Sequence, residues 1–125
     1  MKKILILLLL FIPLLTNAQC WYVADAMNMD NGKGWEGWKK CKTRIYTDED
    51  TNVKIFTSDN TIVYRSLGNH DAKDENGITT LSWECVNSYG TRCNCYLIYN
   101  MEQATVFFVI EYPNMRMCFN VMPEQ

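Results

Sequence analysis

The stretch from Thr79 to Tyr99 constrains the fold more than any other part of the chain, because it has the pattern of a β-hairpin and holds three of the six cysteines. Asn87 starts the turn by hydrogen-bonding onward to the backbone, and Gly90 can adopt the left-handed conformation of a bulged loop. This turn places Asn87 opposite Thr91, which sets the register of both strands.

This register collects apolar and sulfur-containing side chains on one face of the hairpin. Because successive side chains alternate between the two faces of a strand, the residues on that face are opposite partners. The predicted pairs are Cys85 with Cys93, Trp83 with Cys95, Leu81 with Leu97, and Thr79 with Tyr99. The other face, which can meet water, carries Ser82, Glu84, Asn94 and Tyr96.

Short runs rich in β-branched and aromatic residues recur along the rest of the chain, separated by clusters of Asn, Asp, Gly and Ser. They predict strands at 20–24, 38–47, 53–57, 61–67, 105–112 and 115–121, with polar loops at 25–37 and 68–77. The last two strands form a hairpin about Pro113 and Asn114, in which Glu111 faces Arg116 as a pair of opposite charges.

With the first hairpin included, the chain has about eight strands with short connections, for which antiparallel neighbours are expected. Helical periodicity is nearly absent after residue 18. We therefore predict an all-β fold, an antiparallel meander that forms either a barrel or a two-sheet sandwich. The sequence does not separate these two architectures.

Residues 1–18 are predicted to be a secretory signal peptide. Lys2 and Lys3 precede an apolar run from Ile4 to Leu15. This run is shorter than the about 20 residues that a membrane-spanning helix needs. Ala18 then ends a small-residue cleavage site.

Cleavage after Ala18 would leave a single β domain at 19–125, periplasmic or secreted, with no membrane span. The alternative is a lipoprotein anchored at Cys20. Gln19 and Asn17 fit that alternative poorly, because lipoprotein signals usually have a small residue and an aliphatic residue at these positions. The ending Asn-Ala-Gln resembles signal peptides of Bacteroidota-type bacteria.

The mature chain would be acidic, because loss of the two N-terminal lysines leaves ten basic and fourteen acidic residues, and thus a net charge of −4. Nucleic-acid binding depends on neutralising phosphates with Lys and Arg, so nucleic acid is not an expected partner. The basic run of Lys39, Lys40, Lys42 and Arg44 is interpreted as the solvent face of a strand.

All six cysteines lie in the mature part, at Cys20, Cys41, Cys85, Cys93, Cys95 and Cys118. An even number in an exported chain predicts three disulfides, whose connectivity the sequence does not give. Cys85 and Cys93 are candidates for a cross-strand bridge, because they face each other. Zinc ligation and a Cys-x-x-Cys redox site are the alternatives, and the spacing of Cys93 and Cys95 matches neither pattern.

The sequence shows no catalytic constellation, and we expect neither a metal nor a cofactor. His70, the only histidine, lies in a predicted polar loop as a solvated side chain, whereas nucleophilic catalysis needs a base beside the nucleophile. The carboxylates at 48–50 and at 71–75 lie in predicted turns, and neither group has the spacing of an EF-hand loop.

The candidate ligand-binding residues are Trp35, Trp38 and Tyr22. The two tryptophans stand among glycines, Trp35 in the loop that precedes the second strand and Trp38 at the start of that strand, where a large ring can anchor a ligand. Tyr22 would share their surface if the first two strands pair. The alternative is that this loop folds back to close one end of a barrel.

These observations predict a small exported, disulfide-stabilised β domain that binds a protein or a glycan without catalysing a reaction. Two alternatives stay open. One is a small secreted enzyme that uses turn carboxylates or cysteines, and the other is a structural envelope protein.

Overall fold

The computed structural model describes residues 19–123, in which all regular secondary structure is β-strand. The eight strands are β1 (Cys20–Asp30), β2 (Lys39–Thr47), β3 (Val53–Phe56), β4 (Thr61–Glu75), β5 (Ile78–Asn87), β6 (Arg92–Asn100), β7 (Thr105–Tyr112) and β8 (Met115–Pro123). The predicted signal peptide lies outside the described residues, so its cleavage stays a prediction.

The strands form one closed antiparallel barrel. Each strand pairs with its neighbours in the chain, and β8 pairs back with β1. This closure confirms the predicted all-β antiparallel fold and selects the barrel over the sandwich. It also removes the open sheet edges that would otherwise be able to pair with other chains.

The β5–β6 hairpin has the predicted register. Its Cα partners include Cys85 with Cys93, Trp83 with Cys95, Leu81 with Leu97, and Thr79 with Tyr99. In the turn, the Asn87 amide donates to the Thr91 carbonyl oxygen at 3.0 Å, and the Asn87 side-chain oxygen accepts from the Tyr89 and Thr91 amides. Gly90 has a φ of 83°, the left-handed conformation that the turn requires.

The β7–β8 hairpin also has the predicted register, with Glu111 opposite Arg116. The salt bridge of Arg116, however, is with Asp30 on β1. Glu111 instead accepts a hydrogen bond of 3.0 Å from the Tyr96 hydroxyl. Glu111 and Arg116 therefore face each other across the hairpin as predicted. Arg116 bonds instead to Asp30 on β1, the other strand that pairs with β8.

Two strands are longer than the sequence predicted, so the loops predicted at 25–37 and 68–77 are wrong over their first parts. β1 continues as far as Asp30 because β8 provides a partner for it, Arg116. β4 continues to Glu75, which pairs with Ile78, although residues 69–75 are exposed. In both segments the polar side chains are typical of a loop, but neighbouring strands supply partners for the backbone hydrogen bonds of a strand.

The barrel interior is filled by large side chains. The largest fully buried ones are Tyr22, Tyr64, Tyr99, Phe108, Ile45, Ile55, Leu97 and Ile110. Each apolar side chain buried in this way contributes about 1.5–3 kcal/mol to folding. An eight-stranded barrel is just wide enough for side chains to fill it, so candidate sites are sought on its outer wall and at its ends.

One end of the barrel is formed by the turns at 88–91 and 113–114 together with the loop at 31–38, and we call it the thiol end. Cys85 and Cys93 point into the barrel near this end. Cys20 begins β1 at the opposite end, where it pairs with Thr47 at the end of β2. The chain therefore separates its cysteines along the barrel axis.

Candidate functional site

The loop from Asn31 to Trp38, which we call the tryptophan loop, folds back over the outer wall of the barrel. Trp38 stacks on Phe107 with 5.8 Å between ring centroids and 28° between ring planes. Phe107 faces outward from β7, because its neighbour Phe108 is fully buried in the barrel. The Trp38 end of the loop therefore lies against the side of the barrel, whereas Gly32, near the start of the loop, borders the thiol end.

The carboxylate of Asp30 anchors the start of the tryptophan loop. One oxygen accepts hydrogen bonds from the Gly32 amide at 2.8 Å and the Gly34 amide at 3.1 Å. The other oxygen accepts from the guanidinium of Arg116. This hydrogen bond to Arg116, followed by those from the loop amides, lowers the pKa of the Asp30 carboxyl below its usual value.

The guanidinium of Arg116 also holds Trp35. Its central carbon lies 4.7 Å from the centroid of the Trp35 ring, and the backbones of Asp30 and Trp35 form an isolated β-bridge. A guanidinium over an indole ring is attracted by the ring quadrupole. One arginine thus fixes both the anchoring carboxylate and the ring of the tryptophan loop.

Further hydrogen bonds hold the second half of the tryptophan loop. The side-chain oxygen of Asn28 accepts from the Gly37 amide at 2.9 Å, and the Met29 carbonyl accepts from the Glu36 amide at 2.9 Å. Gly37 has a φ of 116°, which a residue with a side chain rarely adopts. The loop is therefore held in one conformation by the strand that precedes it.

The tryptophan loop and the wall enclose a shallow cavity of about 330 Å³, which we call the tryptophan recess. It is lined by Asn28, Trp35, Trp38, Phe107 and Cys118. Trp35 is 45% exposed and Trp38 is 50% exposed, so both rings remain accessible. Burial raises the pKa of the Cys118 thiol to about 11, which leaves this thiol unreactive at neutral pH.

The structure brings Trp35 and Trp38 together but places Tyr22 elsewhere. β1 and β2 do pair, yet the Tyr22 side chain points into the barrel and is fully buried. Burial raises the pKa of its hydroxyl far above the usual value. We therefore leave Tyr22 out of the tryptophan recess. Asp30 and Arg116 were missed from sequence, although an Asp two residues before a Gly is the pattern of an Asx-turn.

All six cysteines lie in the described residues as free thiols, so the predicted disulfides are not shown. Cys85, Cys93 and Cys95 share the inner face of the β5–β6 hairpin, and we call them the thiol cluster. The sulfur atoms of Cys85 and Cys95 lie 3.4 Å apart. The closest approach in the cluster is therefore diagonal across the strands, whereas the sequence suggested a bridge between the directly opposite Cys85 and Cys93.

The other three cysteines lie apart from one another. Cys118 faces the tryptophan recess outside the barrel, whereas Cys20 is buried at the barrel end away from the thiol cluster. Cys20 pairs with Thr47, so Cys41 lies six strand residues away, or about 20 Å at 3.3 Å per residue. A disulfide requires Cα atoms less than about 7 Å apart, so Cys20 and Cys41 cannot bridge in this fold.

A second cavity, of about 560 Å³, opens at the thiol end, and we call it the mouth cavity. Cys85 and Cys93 of the thiol cluster line it, together with Tyr112 and Met115. Its charged lining residues are Asp30, Glu84, Arg92, Glu111 and Arg116. The thiol cluster therefore has an approach from solvent through a cleft that carries both signs of charge.

His70 is exposed as predicted, but its ring has partners. The Nε2 atom lies 2.8 Å from the Thr51 hydroxyl, which is 2.9 Å from the Ser66 hydroxyl. The Thr51 hydroxyl also lies 2.7 Å from the Asp50 carbonyl oxygen, to which it can donate. This arrangement holds the β2–β3 turn against β4.

The two clusters of acidic residues, at 48–50 and 71–75, lie in a hydrogen-bonded turn and on an exposed strand surface, respectively. One Asp48 carboxylate oxygen accepts from the Asp50 and Asn52 amides, each at 2.9 Å, which closes the β2–β3 turn. The acidic residues at 71–75 lie on the exposed part of β4. Among residues 19–123, no group of three or more His, Cys, Asp or Glu side chains is arranged to hold a metal ion.

The basic run on β2 faces outward, as the sequence indicated. Lys40 and Lys42 are exposed, and the guanidinium of Arg44 lies 4.3 Å from the ring centroid of Trp21. Trp21 also contacts Tyr46, with 4.8 Å between the ring centroids. This second aromatic group lies on the wall formed by β1 and β2, away from the tryptophan recess.

Within the described part of the chain, no helix is long and apolar enough to cross a membrane. No protein-family model, curated protein or solved structure matches this chain.

Proposed function

We propose that this protein is an exported, non-catalytic binding module that takes its ligand at the tryptophan recess. The observation that carries the proposal is the exposure of Trp35 and Trp38 from a loop that is fixed by Asp30 and Arg116. Large rings that are already ordered lose little conformational entropy on binding, and such residues often carry most of the binding energy.

The lining of the recess indicates the chemistry of its ligand. Trp35, Trp38 and Phe107 offer apolar ring faces and edges, and Asn28 is the polar residue among them. A sugar ring or an apolar side chain of a protein partner fits such a surface. The ligand class proposed is therefore a glycan or a protein segment that presents one such group.

We also propose disulfide stabilisation, but with fewer bridges than the sequence predicted. In an oxidising compartment the thiol cluster can hold one bridge, because it has three sulfurs, with those of Cys85 and Cys95 at 3.4 Å. Cys20 is too far from Cys41 to bridge with it, and Cys118 faces the tryptophan recess outside the barrel. We therefore propose one disulfide in the exported protein in place of the three expected from cysteine parity.

A binding screen tests the function at the recess. Wild type, Trp35→Ala and Trp38→Ala would be presented to an array of neutral and acidic oligosaccharides and to an array of short apolar and aromatic peptides. Trp21→Phe is the matched control, because Trp21 lies outside the recess. We expect binding that both recess variants lose and the control keeps. Binding that survives both recess variants would refute the proposed site.

A further inference from the structure

The thiol cluster is the most concentrated group of reactive side chains outside the tryptophan recess. Cys85 and Cys95 are fully buried and Cys93 is 5% exposed. The Cys95 thiol donates to the Cys85 sulfur at 3.4 Å, and it also lies within hydrogen-bonding reach of Cys93. Three thiols in contact can exchange a disulfide among themselves, which a single buried thiol cannot do.

Access to the cluster is asymmetric. Cys85 and Cys93 line the mouth cavity, whereas Cys95 does not. The cavity volume of about 560 Å³ falls within the range of small-molecule sites, which is about 300–1,000 Å³. An incoming molecule therefore reaches Cys93 first, because Cys93 is 5% exposed, whereas Cys85 is fully buried beside it in the lining and Cys95 lies behind both.

The hydrogen bonds of the cluster distinguish its members. The hydrogen bond from Cys95 is the main cause that lowers the pKa of the Cys93 thiol below its usual value. Hydrogen bonds to Cys85 and Cys93, together with burial, raise the pKa of Cys95 well above that value. The thiolate is the reactive form of cysteine, so these contacts favour Cys93 as the nucleophile and Cys95 as a protonated donor.

The strand register supplies a resolving thiol. Cys85 and Cys93 are directly opposite Cα partners on neighbouring antiparallel strands. Opposite residues of such strands have Cα atoms about 4.5–5.5 Å apart, which is within the range that a disulfide spans. A bridge between Cys85 and Cys93 therefore needs side-chain rotation but no movement of the strands.

We propose that the barrel mouth is a thiol–disulfide exchange site, in which Cys93 attacks a small-molecule disulfide bound in the mouth cavity and Cys85 resolves the product. The site is separate from the tryptophan recess, so the exchange does not depend on ligand binding there, and its product is the one disulfide proposed above for the thiol cluster. Cys95 acts as a positioning residue: its single S–H proton is directed to Cys85 in the resting cluster and turns to the Cys93 sulfur when that sulfur becomes the attacking thiolate.

The exchange proceeds in two balanced steps. The Cys93 thiolate attacks one sulfur of R–S–S–R, forms Cys93–S–S–R and releases one thiolate, which takes up a proton. The Cys85 thiol, after losing its proton to solvent, attacks the Cys93 sulfur and releases the second RS⁻. The external disulfide is thereby reduced to two thiols, and the two protein thiols are oxidised to a Cys85–Cys93 disulfide.

The charges around the mouth cavity indicate which disulfides fit. Arg92 and Arg116 provide positive charge, while Asp30, Glu84 and Glu111 provide negative charge. A small disulfide that carries both ammonium and carboxylate groups complements such a lining. Cystine and oxidised glutathione have this chemistry, and they serve as the probes.

Mass spectrometry of the reduced protein tests the proposal. After addition of oxidised glutathione or cystine, we expect wild type to form a Cys85–Cys93 link without a lasting adduct. Cys85→Ser should instead accumulate one mixed disulfide, which peptide mapping places on Cys93. Cys93→Ser should consume the probe more slowly by about tenfold or more, because the accessible thiolate is absent.

A variant outside both the cluster and the tryptophan recess serves as the control, and Cys41→Ser should react like wild type. If Cys93→Ser does not fold, peptide mapping of wild type at short reaction times can identify the cysteine that reacts first. An adduct on Cys118, Cys41 or Cys20 first, or an unchanged rate in a folded Cys93→Ser protein, would overturn the assignment.

The role of Cys95 has a separate readout. Cys95→Ala removes the hydrogen bond to Cys93, so the rate of probe consumption plotted against pH should shift to higher pH. The titratable and charged groups that face or line this site are Cys85, Tyr64, Tyr112, Arg92, Arg116, Asp30, Glu84 and Glu111. None of them is changed by this substitution. If Cys95 has only a structural role, Cys95→Ala should lower the stability of the protein and leave the pH dependence of probe consumption unchanged.

Discussion

Asp30 and Arg116 form a salt bridge that joins the last residue of β1 to the outer side of β8. The Asp30 side chain is 9% exposed, whereas that of Arg116 is 42% exposed. The carboxylate is therefore enclosed by the amides of the tryptophan loop, and the guanidinium forms part of the outer surface. This salt bridge therefore links the β1–β8 pairing that closes the barrel to the position of the Trp35 ring.

The tryptophan loop should loosen at acidic pH. The folded-state pKa of Asp30 is depressed, so its contribution to stability is fully present above the unfolded-state pKa of about 3.9. It is lost as the pH falls through the lower folded-state value. We expect a change in tryptophan fluorescence below about pH 4 in wild type.

Asp30→Asn is the control for this titration. Its side-chain oxygen can still accept from the Gly32 and Gly34 amides, but it carries no charge for Arg116. The fluorescence change should therefore be absent, or far smaller, in this variant. The same transition in both proteins would assign it to other carboxylates.

Trp35→Ala should separate a binding role from a packing role. Because Trp35 is 45% exposed, its truncation should leave the melting temperature nearly unchanged. If Trp35 is a binding anchor, affinity for a recess ligand should fall by about 2 kcal/mol or more. Thermal melts of wild type and variant test the first statement before any ligand is known. A loss of about 3–5 kcal/mol in stability, as for a core tryptophan, would refute the surface role.

Cys118 should report on the state of the tryptophan recess. Its pKa is raised to about 11 from a usual value of 9.0 by burial, so it should label slowly with a maleimide at neutral pH. Trp38→Ala removes part of its cover and should speed labelling by up to about a hundredfold, the change in thiolate fraction for two pKa units.

A ligand that fills the recess should slow this labelling in wild type. Cys20 provides an internal reference, because it lies at the opposite end of the barrel and should label at the same rate in both proteins. If Cys118 labels as fast in wild type as in Trp38→Ala, the ring does not cover it.

Thiol counting on the exported protein should distinguish one disulfide from three. Under denaturing, non-reducing conditions we expect four free thiols, because one bridge in the thiol cluster uses two of the six cysteines. The intact mass of the same sample should begin at Gln19, as expected for cleavage after Ala18. Detection of no free thiols would favour three disulfides and contradict the cysteine positions in this barrel.

Features set by local chemistry were predictable from sequence. The Asn87 turn determines the pairing of Cys85 with Cys93, and the alternation of side chains then places the thiol cluster inside the barrel. The β7–β8 register followed in the same way from its two-residue turn. In both cases the residues that fix the structure lie within a few positions of one another.

Features that depend on distant partners were not predictable in the same way. Residues 25–30 resemble a loop because Asp25, Asn28 and Asp30 are polar. Pairing with β8, and with the start of β2 at Ala26 and Met27, makes them a strand. The position of the tryptophan loop on the outer wall depends on Phe107 and Arg116, which lie far away in the sequence. Tyr22 is buried because alternate side chains of β1 point into the closed barrel. The sequence had not distinguished a barrel from a sandwich.

The pairing of β1 with β8 has a consequence for how the chain folds. Seven of the eight strand pairs join consecutive strands, so they can form as soon as each hairpin is complete. The eighth joins residues 22–30 to residues 116–123 and has to bring together segments nearly the whole domain apart. Closing such a contact is the slow, entropically costly step in folding. A chain whose β8 has not yet been synthesised therefore lacks this last pair and stays open, and the barrel can close only when β8 is present.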